Sequence, residues 1–431
     1  MSDDQGWGDV GFRGHPHLKT PHLDRLAEDG IRLERFYAAA PVCSPTRGSQ
    51  LSGRHPARYG IPYANQGHLP IQEISLAEAF SNSGYATGHF GKWHLGTLSN
   101  QVRDGRRGGR QPEHFSPPWH HGFQSCFSTE QAVPTWNPIQ NQKIPTHYWL
   151  GPGVIAQRDL SGDDSRVIVD RALPFMQEAI QKRRPFFAVL WFHAPHSPVL
   201  AGPEHRLPYA DLEEDYQHYY GCISAMDQQI GRLRQALQEW GAAENTLIWF
   251  CSDNGPAASG GGPGQKPGGR QRGSTAGLRG RKGSLYEGGI RVPAMVVWPQ
   301  GLPKGKRFSA PVTTSDVLPT VLAAAGIPYP DRQRPLDGEN ILPWLQKEDT
   351  PPPRGLAFLS KGQLAFMQGR FKMVRPAATA PLELYDLERD PSERQNLAEH
   401  EAKRLAEMEA AWKAWRQSCR RSRQGADYSE P

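Results

Sequence analysis

The chain has 431 residues, 37% hydrophobic and 22% charged, a globular composition with ample length for a large buried core. No run of about 18 apolar residues occurs, which excludes a membrane-spanning helix. The formal net charge of +6 is concentrated in Arg103–Arg110 and Lys266–Lys282. These stretches read as solvated loops or a polyanion-attracting surface, and neither lies in a nucleic-acid-binding module.

Thr20-Pro21 is a helix-opening signal, with Leu23, Leu26 and Ala27 on one face and Gly30 as the stop. Ser44-Pro45 opens a second helix that ends at Gly53, which puts Cys43 at a helix mouth. Ser75 and Glu78 form a capping-box pattern before Leu76, Ala79 and Phe80. Tyr85–Phe90 is a short strand. Asp164–Arg184 is helical, with Pro174 expected to kink or split it. Pro185–Phe192 is an apolar run expected of a strand covered on both faces. A long helix (Asp215–Trp240), strands at Thr246–Cys251 and Val292–Trp298, and a helix at Ser315–Ala325 follow. Gly255–Gly283 is low in complexity and is expected to be a long, mobile loop. After the Pro-rich stretch Pro328–Arg354 come hairpin-like strands (Leu356–Val374), a strand (Leu382–Leu387) and a closing helix (Leu397–Cys419). The alternation predicts an α/β fold: a large mixed, mostly parallel sheet flanked by helices, with a smaller C-terminal α+β subdomain. The expected boundaries are 1–335 and 336–431.

Polar clusters follow three strands: Gly91-Lys92-Trp93-His94, His193 to His196, and Ser252-Asp253-Asn254. In open α/β sheets the binding crevice lies at such carboxyl ends. Asp3-Asp4 and Asp253-Asn254 supply oxygen ligands suited to calcium or magnesium. The five cysteines (Cys43, Cys126, Cys222, Cys251 and Cys419) have neither disulfide-framework nor zinc-motif spacing. Cys43 faces free N–H groups and the positive end of a helix dipole, a setting that favours an anion, and Arg47 adds charge one turn on.

Cys43-x-Pro45-x-Arg47 resembles the motif of the formylglycine-dependent sulfatases of the alkaline phosphatase superfamily. Gly84-Tyr85-x-Thr87-x-x-x-Gly91-Lys92-Trp93-His94-Leu95-Gly96 resembles that family's second signature. Asp3-Asp4-x-Gly6-Trp7-Gly8-Asp9, Ala194-Pro195-His196-Ser197-Pro198, Ser252-Asp253-Asn254-Gly255, the Gly280–Gly289 segment and Leu384-Tyr385-Asp386-Leu387 resemble further family motifs, in order along the chain.

The resemblance implies a sulfuric ester hydrolase acting on a sulfated carbohydrate or aryl sulfate. A separate formylglycine-generating enzyme would oxidise Cys43, and one hydroxyl of the hydrated aldehyde would attack sulfur. Asp3, Asp4, Cys43, Asp253 and Asn254 would hold one divalent cation, Ca2+ or Mg2+. Arg47 and the cation would activate the nucleophile, while Lys92 and Lys282 would clamp the sulfate. His196 or Lys282 would protonate the leaving oxygen, and His94 would take the proton whose loss expels sulfate. His193 is expected to be structural. A phosphodiester or phosphonate hydrolase of the same superfamily, or an inactive glycan-binding homologue, is the alternative. Family members carry a hydrophobic strand before the Asp-Asp pair, where this chain has only Met1-Ser2. The expectation is therefore a true start upstream and, with it, a periplasmic or secreted protein.

Overall fold

The boundary signals act where the chain turns in the computed structural model, which describes residues 1–428 except 110–111, 141, 143, 259–271, 332 and 348–350. Pro21 opens helix α1 (Pro21–Asp29), which buries Leu23, Leu26 and Ala27 and leads into strand β1 (Ile31–Leu33). Helix α2 (Cys43–Ser52) begins at Cys43 itself. It ends at Gly53, whose left-handed φ of 68° returns its N–H to Ser49 O, a cap suited to glycine. Ser75 Oγ accepts from Glu78 N and starts α3 (Leu76–Asn82). Strands β2 (Ala86–Lys92) and β3 (Ser125–Thr129) come next. Helix α4 (Asp164–Gln181) runs unbroken through Pro174, so of the expected kink or split the split does not occur. Its buried face, with Ile168, Ala172, Leu173 and Met176 on both sides of the proline, outweighs one lost hydrogen bond. Strand β4 (Phe186–Trp191), helix α5 (Glu214–Glu239), strands β5 (Ile248–Cys251), β6 (Ala294–Val297) and β7 (Lys306–Phe308), and helix α6 (Val317–Ala324) complete the larger part.

β2 runs parallel to β3 on one side and to β4 on the other. A second sheet has the order β7-β1-β6-β5 and mixes parallel and antiparallel pairs. The layer is mixed with mostly parallel pairing, as the sequence predicts. Between β4 and β5 lies Met1–Asp3. Phe192 N donates to Met1 O (2.9 Å), Asp3 N to Ala194 O (3.0 Å), and Ser2 N to Cys251 O (2.9 Å). Beyond Met1 the two strands flank an apolar cavity of about 560 Å³ whose walls include Leu51, Phe80, Val189 and Phe250. Phe186, Phe187, Ala188 and Leu190 of β4 are consequently only half-buried, where full coverage was expected.

Alternation along the strands feeds two cores. Ala294 and Val296 of β6 join residues of α2, α3 and α6. Met295 and Val297 join α1, α4 and α5. Helices thus cover both faces, giving the α/β layering that the sequence predicts.

The C-terminal strands β8 (Gly355–Ser360), β9 (Gln363–Gln368), β10 (Phe371–Arg375) and β11 (Glu383–Asp386) form an antiparallel sheet in sequence order. One face, with Phe358, Met367 and Val374, packs on Tyr37, Leu285 and Ile290. The other receives Met408 of α7 (Ala402–Arg423). This helix starts later than expected because Leu397 N–H is drawn to Leu384 O (2.8 Å). Residues 259–271 of the expected mobile loop lie outside the described residues, but its flank is anchored: Ser274 N donates to Asp9 Oδ1 (2.8 Å) and Arg272 pairs with Asp215 (3.0 Å). Among the described residues no helix is long and apolar enough to cross a membrane.

Candidate active site

The three polar clusters converge as expected. β2 delivers Lys92 and His94, β4 delivers His196, and β5 delivers Asp253 and Asn254. Met1–Asp3, held between β4 and β5, brings Asp3 and Asp4 to the same edge, and the mouth of α2 supplies Cys43. Gly91 allows the approach: at φ 105° a Cβ there would lie 2.0 Å from Trp191 O. Asp4 (φ 66°) and His94 (φ 59°) hold left-handed backbones, conformations that persist where surrounding structure imposes them and that cluster at functional sites.

At the centre are three buried carboxylates countered by the buried cations Arg47 and Lys92 and the half-buried Lys282. Lys92 Nζ donates to Asp3 Oδ2 (2.6 Å), and Arg47 Nη2 lies 3.4 Å from the same oxygen. Arg47 also grips Asp253 Oδ2 through Nε (3.1 Å) and Nη2 (2.7 Å). Lys282 Nζ donates to both oxygens of Asp4 (2.6 and 2.8 Å). Cys43 Sγ is 3.5 Å from Asp3 Oδ1. Every one of the sequence-derived site residues lies in this cluster or on its wall.

Electrostatics follow from burial and charge. Burial works to raise the Asp3 carboxyl, but Lys92, His196 and Arg47 hold it well below the usual range. Burial, then the negative charge of Asp3, pushes Asp253 up to about 6. Burial acts against the Lys282 ammonium, yet Asp4 and its neighbours raise its pKa. Burial lowers His196 to about 4 and His94 well below the ordinary imidazole value. The Cys43 thiol is pushed up to about 12, first by burial and then by Asp3. The helix mouth therefore does not yield a thiolate, as its dipole alone suggests; desolvation and a facing carboxylate win.

The donor set fits a hard cation. Asp3, Asp4, Cys43 and His196 each place a ligand atom within 4.8 Å of the others. Asn254 donates its amide N–H to Asp4 Oδ1 (2.8 Å), while its own Oδ1 is buried without a hydrogen-bond partner. Such an orphaned oxygen among carboxylates suits a cation. Asp253 Oδ1 accepts from Asp4 N (3.1 Å). His196, assigned from sequence to proton transfer, thus also stands beside the ligands. Its Nδ1 donates to Ser197 O (2.6 Å), which turns Nε2 toward Asp4 Oδ2 (3.8 Å).

Sequence reasoning missed several supports. Arg107, from a stretch expected to be solvated, is buried. It pairs with Glu130 (2.5 Å) and donates to His94 O (3.2 Å) and Ser44 Oγ (3.4 Å). The left-handed glycines Gly105, Gly108 and Gly109 around it are the signal for a tight, inward loop. His193 joins Thr129 Oγ1 (2.8 Å) to Asp164 Oδ2 (2.7 Å) and braces the strand ends, the structural part expected of it. Asn65 Oδ1 meets His94 Nε2 at 2.6 Å.

Comparison with known proteins agrees with this geometry. The family model described as Sulfatase matches residues 1–327, and that described as N-sulphoglucosamine sulphohydrolase, C-terminal, matches 281–417. The chain is 31% identical to arylsulfatase A of Homo sapiens, over 92% of this chain and 82% of that protein. It is also 31% identical to N-acetylgalactosamine-6-sulfatase of Canis lupus familiaris, over 80% of this chain and 64% of that protein. The crystal structure of Ps i-CgsB superposes with a TM-score of 0.82 at 28% identity, covering 96% of this chain and 91% of that one. It has also been solved in complex with k-i-k-neocarrahexaose, which superposes with a TM-score of 0.82 at 27% identity. With its cysteine at a helix mouth among buried carboxylates and cations, the chain belongs to the formylglycine-dependent sulfatases, sulfuric ester hydrolases of the alkaline phosphatase superfamily.

Proposed function

We propose that the enzyme removes sulfate from a sulfated saccharide, with Cys43 oxidised to formylglycine and a calcium or magnesium ion held by Asp3, Asp4, Asp253 and Asn254 beside residue 43. One observation carries the reading. Cys43 occupies the nucleophile position with its thiol pushed up to about 12, 3.5 Å from a carboxylate. Sulfur in that state is a poor nucleophile, so the chemistry calls for an oxygen at residue 43. The hydrated aldehyde of formylglycine supplies that oxygen together with a second hydroxyl whose deprotonation frees sulfate, and the cation supplies positive charge next to it.

The chain's own residues do the rest. Lys92 and Lys282 present ammonium groups toward Asp3 and Asp4, where a sulfate entering the cluster meets both. Arg47, fixed by Asp253, holds the helix mouth in place and keeps its charge. His196 Nε2 and Lys282 Nζ both face Asp4, so either reaches a leaving oxygen held there. Burial keeps His196 neutral near neutral pH, which makes Lys282 the resident proton carrier. His94 takes up the proton at the release step. A saccharide substrate is supported by the relatives' names and by the exposed Arg103 and Arg106 on the same loop as Arg107.

The test is coexpression with a formylglycine-generating enzyme. Mass spectrometry should find an aldehyde at residue 43, and the matured protein should release sulfate from sulfated oligosaccharides faster than it cleaves an aryl phosphate diester. Cys43→Ala should lose sulfate release. Undiminished release by Cys43→Ala, or an active protein with an intact thiol, would overturn the reading.

A further inference from the structure

We propose that Asn65 is a positioning residue that locks His94 in the Nε2–H tautomer, so that Nδ1 is the bare nitrogen that accepts the proton at sulfate release. The proposal rests on the assignment of that step to His94.

The ring of His94 has one hydrogen-bond partner among the described residues, Asn65 Oδ1, 2.6 Å from Nε2. A carbonyl oxygen only accepts, so Nε2 carries the hydrogen. Nδ1 is buried and makes no hydrogen bond. The reversed amide would turn Asn65 into a donor and force the hydrogen onto Nδ1. A buried N–H without an acceptor is costly, and the positive charges acting on this ring (Lys92, Arg107 and Arg47, against Asp3 alone of opposite sign) disfavour a further N–H among them. A lone pair at Nδ1 suits the same surroundings. The neutral tautomers of an imidazole are close in energy, and the partner of one nitrogen decides the state of the other.

Asn65 is built for this place. Its backbone is left-handed (φ 62°), a conformation asparagine tolerates better than most residues. Its N–H donates to Ser44 Oγ (3.3 Å), next to Cys43. The main chain of His94 is held separately, by Arg107 on its carbonyl. Backbone and ring therefore have different anchors, and removing Asn65 frees the ring without releasing the segment that carries Lys92.

The test uses matured, histidine-15N-labelled enzyme, with His94→Gln to assign the resonances and an aryl sulfate for kinetics. The wild type should show a protonated Nε2 and a bare Nδ1 at His94. Asn65→Leu should mix the tautomers and lower kcat by about ten- to a hundred-fold, with KM changed less than about three-fold. Asn65→Asp, which keeps the acceptor, should restore the wild-type tautomer signal. A hydrogen on Nδ1 in the wild type, or an Asn65→Leu enzyme with unchanged tautomer and kcat, would overturn the proposal. Wild-type turnover by His94→Gln would instead remove His94 from the release step, a failure distinguishable because the nitrogen spectra report the tautomer independently.

Discussion

Replacing Lys372 with methionine tests how the C-terminal sheet is tied to the catalytic layer. Lys372 of β10 is fully buried, with Nζ 2.9 Å from Glu287 Oε1 and 2.9 Å from Glu393 Oε1. Glu287 also accepts from Tyr37 OH (3.0 Å), and Glu393 Oε2 accepts from Glu287 N (2.6 Å). Methionine preserves the apolar stem, so the loss is mainly electrostatic. Removing one partner of a buried ion pair costs about 3–5 kcal/mol, and here two carboxylates are left facing each other. Burial, together with Glu287, already pushes Glu393 up to about 7 despite Lys372. A carboxyl whose folded pKa is raised destabilises the fold as pH rises through that value, and without the ammonium this effect grows. The defect of Lys372→Met should therefore be larger at about pH 8 than at about pH 5.5. Adding Glu393→Gln should recover part of it, because one charge goes. Urea unfolding followed by tryptophan fluorescence reads the midpoints, and sulfate release reports whether Lys282, five residues before Glu287, stays in place. A loss under about 1 kcal/mol at pH 8, or a defect that deepens in acid, would refute the reasoning.

Other expectations follow from the site and its frame. Chelation should abolish turnover and lower the melting temperature, with Ca2+ or Mg2+ restoring both; a cation at about a hundred times its Kd contributes about 2.7 kcal/mol, and an unmoved melting temperature counts against the carboxylate site. Gly91→Ala should cost about 3 kcal/mol or more, since its Cβ would meet Trp191 O at 2.0 Å on a backbone with φ 105°; normal soluble yield and melting would contradict this. Asp163 caps α4 through Arg166 N, and burial raises its carboxyl to about 8. Its ionisation destabilises the fold progressively from about pH 4 upward, so Asp163→Asn should raise the melting temperature more at pH 8 than at pH 5. An equal gain at both would disprove the shift.

The catalytic edge was legible because its signals are local. An apolar strand followed at once by Lys92 and His94, or by Asp253 and Asn254, can be read without knowing the partner strand. Cys43 at a helix mouth is equally visible. What escaped depends on distant chain and on desolvation. The helix-mouth dipole suggests an ionised Cys43, and burial together with the facing Asp3 carboxylate reverses that. Arg107 looks like any residue of a basic run until Glu130, on the far side of β3, turns it inward. Asn65 carries no motif at all; its meaning comes from the ring it touches. Pro174 is a breaker by local rules, overridden by the packed face of α4.

All ten residues of α2 are buried, with Cys43 only 1% exposed, and that fixes a sequence of events. No second protein can bring its own catalytic groups to that sulfur once the strands have closed over it. The oxidation proposed for Cys43 therefore calls for a nascent or still open polypeptide, and a molecule that completes folding as a thiol would remain one.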